Sequence, residues 1–184
     1  MTSRLTLLAA CALAAAVFAI THYAPIPYGL KELAAMGGGE KILDLAPAFT
    51  GEAVHARLEA FGAEGRAVYQ RFAVTTDVAF PLALLVFLLV FARFAGERAS
   101  LPRTARGLVL AVPVVWFAAD MIENLTIFTL IAQFPARNDL LEPNLGYVTL
   151  AKRALLLASL ALPVLLLLWT MARRLGAGRN APAN

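Results

Sequence analysis

A single cysteine, Cys11, in 184 residues rules out an internal disulfide, a paired-cysteine redox centre and a thiolate metal cluster within one chain. Charge is also scarce. Asp, Glu, Lys and Arg make up 15% of the residues against 60% hydrophobic ones, and the mean hydropathy is +0.73, too apolar for an ordinary soluble domain. Only two histidines are present, His22 and His55. Without thiolate partners they make zinc a poor fit, whereas Mg²⁺ or Ca²⁺ would suit carboxylates better. A neighbouring lysine or arginine can meet the same charge requirement, so no metal site is assigned and no cofactor is specified. Phosphate-binding glycine loops and the GxSxG and HExxH patterns are missing.

Long apolar runs are what the chain does have. Residues 5–23, 72–92, 107–135 and 147–172 each reach the roughly 20 residues needed to cross a 30 Å hydrocarbon core. Only helices satisfy their own backbone in lipid, so the fold class is all-α: a four-helix transmembrane bundle in a single domain over 1–184. Arginine outnumbers lysine 13 to 3, a bias typical of GC-rich bacterial coding, and the expected location is a bacterial inner (plasma) membrane. The formal charge of +4 sits beside apolar spans. It therefore reads as a topology signal towards anionic lipid, and no nucleic-acid partner is expected.

Orientation follows from where the basic residues lie. Between spans two and three, Arg93, Arg98, Arg103 and Arg106 face one acid, Glu97, and the tail over 173–184 adds Arg173, Arg174 and Arg179. Both regions, and hence both termini, are expected to be cytoplasmic. The loop over 24–71 has five basic and six acidic residues and belongs outside. Arg4 ahead of an apolar run, with Val17-Phe18-Ala19 near its end, also fits a cleaved signal peptide; cleavage would not reverse the other three spans. Leu8-Ala9-Ala10-Cys11 resembles a lipoprotein box, but the apolar run before it is too short.

Pro25 to Pro27 end the first helix, and Gly37-Gly38-Gly39 mark a flexible point. A short amphipathic external helix should start at Thr50 or Gly51, because Val54, Leu58 and Phe61 recur at helical spacing. Gly62 and Gly65 are expected to loosen the chain before span two. Pro81, Pro113 and Pro163 are expected to kink their helices.

Polar residues interrupt span three at Asp120, Glu123 and Asn124, and span two at Asp77. Ionisable groups are rare in lipid and default to a pairing or functional role. At 1.5 Å per residue, Asp77 lies about 7 Å and Asp120 about 10 Å below the outer edge of the core, at matching depth. Glu123 and Asn124 fall about 60° and 40° to either side of Asp120, so the three share a face. Lys152 and Arg153 enter span four from the same outer side. Neighbouring carboxylates in low dielectric cannot all ionise cheaply, so at least one should carry a proton or hold a cation.

The spacing Gly62-x-x-Gly65-Arg66-x-x-Tyr69, Asp77-x-x-Phe80-Pro81 and Asp120-x-x-Glu123-Asn124 resembles a group of uncharacterised bacterial four-span integral membrane proteins over about residues 50–170. The resemblance implies the fold and the grouping of Arg66 and Tyr69 with the acidic residues, and it carries no activity. Seven-span ceramidase-like hydrolases need histidines that are missing here, and quinone-linked disulfide enzymes need cysteine pairs.

Three functions fit these residues. The first is a small membrane protein whose buried acid cluster binds a cation, proton or polar ligand as an accessory or transport-related subunit. Transport would call for a homo-oligomer or a membrane-protein partner, because four spans rarely enclose a pathway. The second is an intramembrane enzyme on a lipidic substrate, with Asp77, Asp120 and Glu123 in acid/base work and Arg66, Tyr69, Asn124, Lys152 and Arg153 holding the ligand. The third is a purely structural helix-locking network, in which carboxylates pair with Arg71, Lys152 or Arg153.

Overall fold

The computed structural model describes residues 2–179, and these form seven α-helices and no strand. The helices are α1 Arg4–Tyr23, α2 Leu30–Met36, α3 Gly51–Ala60, α4 Gly62–Val74, α5 Thr76–Arg98, α6 Arg103–Gln133 and α7 Leu145–Arg179. Four are long and apolar enough to cross a membrane: α1, α5 with α4 leading into it, α6 and α7. They pack as an antiparallel bundle in which α5 touches α1, α6 and α7, and α6 lies along α7. The Thr2 amide reaches Glu97 at 2.5 Å, which places the start of α1 beside the end of α5. The α5–α6 link, the start of α1 and the last described turns of α7 therefore share one end, rich in arginine. Of the tail over 173–184, helix α7 continues to Arg179, and residues 180–184 lie outside the described residues.

Hydrophobicity is used differently at the two levels of the molecule. Within the bundle, large side chains such as Leu108, Val115, Leu125, Leu157 and Leu165 point outward and are half or more exposed, as expected where lipid is the solvent. Lipid offers no hydrophobic drive between helices, so small residues and polar contacts must hold them together. The apolar core lies instead in the cap at the opposite end from the arginines. There Leu33, Leu43, Val54, Leu58 and Phe61 pack against Tyr69 and the last turns of α6. A large apolar side chain buried from water contributes about 1.5–3 kcal/mol.

Helix α3 starts where its sequence indicates. The Thr50 side chain accepts from the Ala53 amide at 3.2 Å, and Val54, Leu58 and Phe61 are all buried. The segment after it corrects the expectation of a loosened chain, because α4 is a continuous helix from Gly62 to Val74. Gly62 supplies the corner with φ +63°, a left-handed conformation that costs a side-chain-bearing residue energy. Gly65 is a close-packing position: a Cβ there would sit 3.2 Å from side-chain carbons of Met36 and Phe61. Helix α2 was not legible from the spacing. It forms because Leu33 reaches the cap core, while Glu32 accepts from the Tyr28 amide at 2.6 Å. Pro81, Pro113 and Pro163 all lie inside helices and are buried.

Candidate functional site

Lys152 is the centre of the polar cluster. It sits two turns into α7, is 8% exposed, and its Nζ forms ion pairs with Asp44, Glu123 and Asp120, the last at 3.2 Å. One ammonium thus ties the cap loop, α6 and α7 together. Glu123 is wholly buried and also accepts from the Thr149 hydroxyl, one turn before Lys152. Asn124 donates from Nδ2 to the Asp77 carbonyl at 3.2 Å, which joins α6 to the first turn of α5. Arg153 donates to the Asp44 carbonyl at 2.8 Å. The expected meeting of the second and third spans at one depth is met through these contacts.

Asp77 differs from the other acids. Among the described residues its carboxylate takes part in no ion pair and no side-chain hydrogen bond. It lines a cavity of about 200 Å³ together with His22, Asp44, Trp116, Asp120 and Lys152. Phe80 and Leu156 supply apolar wall, and Arg153 also reaches it. Counting Glu123 behind the wall, four acids meet two bases, so the formal balance is negative. Along the inner face of α6, Trp116 Nε1, Asp120 Oδ2 and Asn124 Oδ1 are buried and have no hydrogen-bond partner among the described residues.

The sequence grouping is only partly met. Asp77, Asp120, Lys152 and Arg153 line the cavity, and Glu123 and Asn124 lie immediately behind it. Arg66 and Tyr69 do not line it and lie in the cap instead. Arg66 donates to the Leu58 carbonyl at 3.0 Å and lies 3.9 Å over the Phe134 ring. Tyr69 is 1% exposed in the cap core, where its hydroxyl accepts from the Leu43 amide at 2.9 Å. Both are held by α4, whose inner face packs into the cap. Arg71 likewise pairs with the Tyr28 hydroxyl rather than with an acid of the cluster. The two histidines are separated: His22 lines the cavity, whereas His55 stacks on Phe134 at 4.7 Å. Among the described residues no three His, Cys, Asp or Glu side chains are grouped to hold a metal ion; Lys152 occupies the point on which the carboxylates converge.

Asp44 and Thr149 are the participants that spacing did not reveal. Asp44 lies in an irregular loop with no helical period to mark its direction. The available signal was indirect: Lys152 and Arg153 enter from the same side as an acid-bearing loop with apolar Ile42 and Leu43 beside Asp44. Burial works against the Asp44 charge, but the Lys152 ammonium and the Arg153 guanidinium beside it outweigh that and hold its pKa below the usual carboxylate range. A depressed folded-state pKa means that the Asp44 contribution is complete above the unfolded value, about 3.9, and is lost as pH falls through the lower folded value. We therefore expect stability to drop in acid below about pH 4, and Asp44→Asn to shrink that drop in detergent melting curves recorded against pH. An unchanged acid limb would contradict the pairing.

Compared with protein-family models, curated proteins and solved structures, the chain has no match, so the reading of this site rests on its own residues and geometry.

Proposed function

We propose that this chain is a small multi-pass membrane protein that binds a proton or small cation at the Asp77 carboxylate, acting as an accessory or transport-related subunit. In this reading it resides in a bacterial inner membrane, with its arginine-rich end and both termini cytoplasmic and its acidic cavity opening outward. The observation that carries it is the unpaired Asp77 carboxylate beside three acids that already share Lys152. A further negative charge in this low-dielectric setting calls for a proton or cation. Cavity size supports a small guest: about 200 Å³ is below the roughly 300 Å³ at which pockets for drug-sized ligands begin. An enzyme acting on a lipid would need more room beside its paired carboxylates.

The test is infrared difference spectroscopy of the protein in nanodiscs across pH, combined with thermal melting in the presence of different monovalent and divalent cations. Wild type should show a titrating protonated-carboxyl band or a cation-dependent rise in melting temperature. Asp77→Asn should lose that response while melting within about 0.5 kcal/mol of wild type, because it removes no ion pair.

The structural-lock reading is favoured by one observation, the three-carboxylate grip on Lys152. It predicts a different pattern: no cation-linked response in wild type, and an acid response from the Lys152 pairs that Asp77→Asn leaves unchanged.

A further inference from the structure

At the other end of the bundle lies a second polar feature that the acidic cavity does not involve. Arg4 from the start of α1, Arg98 from the end of α5, and Arg173 and Arg174 from α7 converge on two adjoining clefts of about 390 and 300 Å³. Arg98, Thr170 and Arg174 belong to both, so the clefts share a wall. Among the described residues, none of the four arginines has a carboxylate partner. The one acid nearby, Glu97, is taken by Arg93 at 3.1 Å and by the Thr2 amide. Two of the guanidinium groups are laid over aromatic rings, Arg98 over Phe94 and Arg173 over Trp169, each at 4.7 Å from the ring centroid. A guanidinium placed over a ring face still has N–H groups to offer a planar or tetrahedral anion.

The surroundings of these donors are amphipathic. Trp169 and Met171 are largely exposed, and Leu168 and Leu165 continue the outward apolar surface along α7. A partly exposed tryptophan beside arginines at the end of a membrane helix marks the level of the lipid headgroups. Phe94, Leu167 and Met171 line the smaller cleft, so an anion seated among the arginines has apolar wall beside it. We propose that this arginine groove binds the phosphate headgroup of an anionic phospholipid, with its acyl chains lying along α7. Arginine forms paired hydrogen bonds to phosphate oxygens, and basic pockets between membrane helices are suited to such headgroups. The shared wall between the two clefts favours a headgroup with two phosphates over one with a single phosphate.

Purified full-length protein, stripped of lipid by detergent exchange, would be titrated with diphosphatidylglycerol, phosphatidylglycerol, phosphatidylcholine, glycerophosphate or inorganic phosphate, with bound species counted by native mass spectrometry. The expected order is diphosphatidylglycerol, then phosphatidylglycerol, with phosphatidylcholine far behind and the soluble phosphates not competing at equal concentration. R98Q/R174Q should weaken retention of the anionic lipids at least about tenfold, the loss expected on removing charge-assisted hydrogen bonds. R98K/R174K preserves the charges that set membrane orientation and should recover only part of the binding. Equal retention of phosphatidylcholine and phosphatidylglycerol, or unchanged retention in R98Q/R174Q with the fold intact by circular dichroism, would overturn the proposal. So would displacement of the lipid by inorganic phosphate at matching concentration, which would assign the groove to a soluble anion.

Discussion

Lys152→Met lowers the stability of the bundle by about 3–5 kcal/mol, the loss expected when one partner of a buried ionic group is removed and the other is left uncompensated. Asp44, Asp120 and Glu123 all lean on this one ammonium, and Glu123 has no access to solvent with which to replace it. Its loss also leaves the Asp44 carboxylate of the cap loop and the Asp120 and Glu123 carboxylates of α6 repelling each other. Thermal or denaturant unfolding in a mild detergent reads the effect directly. Lys152→Arg should recover much of it, limited by the fit of a larger planar group among three carboxylates. Neutralising a partner in the lysine-free background provides the control: Glu123→Gln destabilises wild type but should be less harmful, or helpful, beside Lys152→Met. A Lys152→Met protein as stable as wild type would mean that the convergence on Nζ contributes nothing to holding the helices together.

Leu43→Ala should be the next most damaging change, at about 2–5 kcal/mol for deleting a fully buried leucine side chain. Leu43 is inaccessible in the cap core, its amide donates to Tyr69, and the next residue is Asp44. Packing therefore aims a charged side chain: the apolar anchor and the hydrogen bond fix the loop so that the carboxylate reaches Lys152. The substitution should weaken the cap and the ionic cluster together. A double-mutant cycle between Leu43→Ala and Asp44→Asn would reveal this as non-additivity, since contacting and mechanically linked sites couple by about 0.5–3 kcal/mol. Strict additivity would show that the loop holds Asp44 in place without the leucine.

Cap and bundle obey different solvents, and the site lies where they meet. In the cap, water drives Leu33, Leu58 and Phe61 together; below it, the long helices turn their leucines outward and are joined by Lys152, Asn124 and Thr149.

Much of this was legible in the chain itself. Span length and apolarity determined four membrane helices and an all-α class, because the thickness of a bilayer and the need to satisfy every peptide group leave one solution. Helical periodicity placed Asp120, Glu123 and Asn124 on one inner face, and an antiparallel turn between the second and third spans set Asp77 at their depth. The period of α3 likewise identified Val54, Leu58 and Phe61 as its buried side. Tertiary structure alone decided which partners those groups found. Arg66 and Tyr69 had the right chemistry for a ligand site but belong to the cap, because α4 turns them towards Phe134 and the Leu43 amide. Asp44 had no marked position at all, because an irregular loop carries no period from which its direction can be read. The choice of Lys152 as the common counter-charge, and the exclusion of Asp77 from it, depend on angstrom-scale distances between segments up to 108 positions apart, which local spacing does not encode.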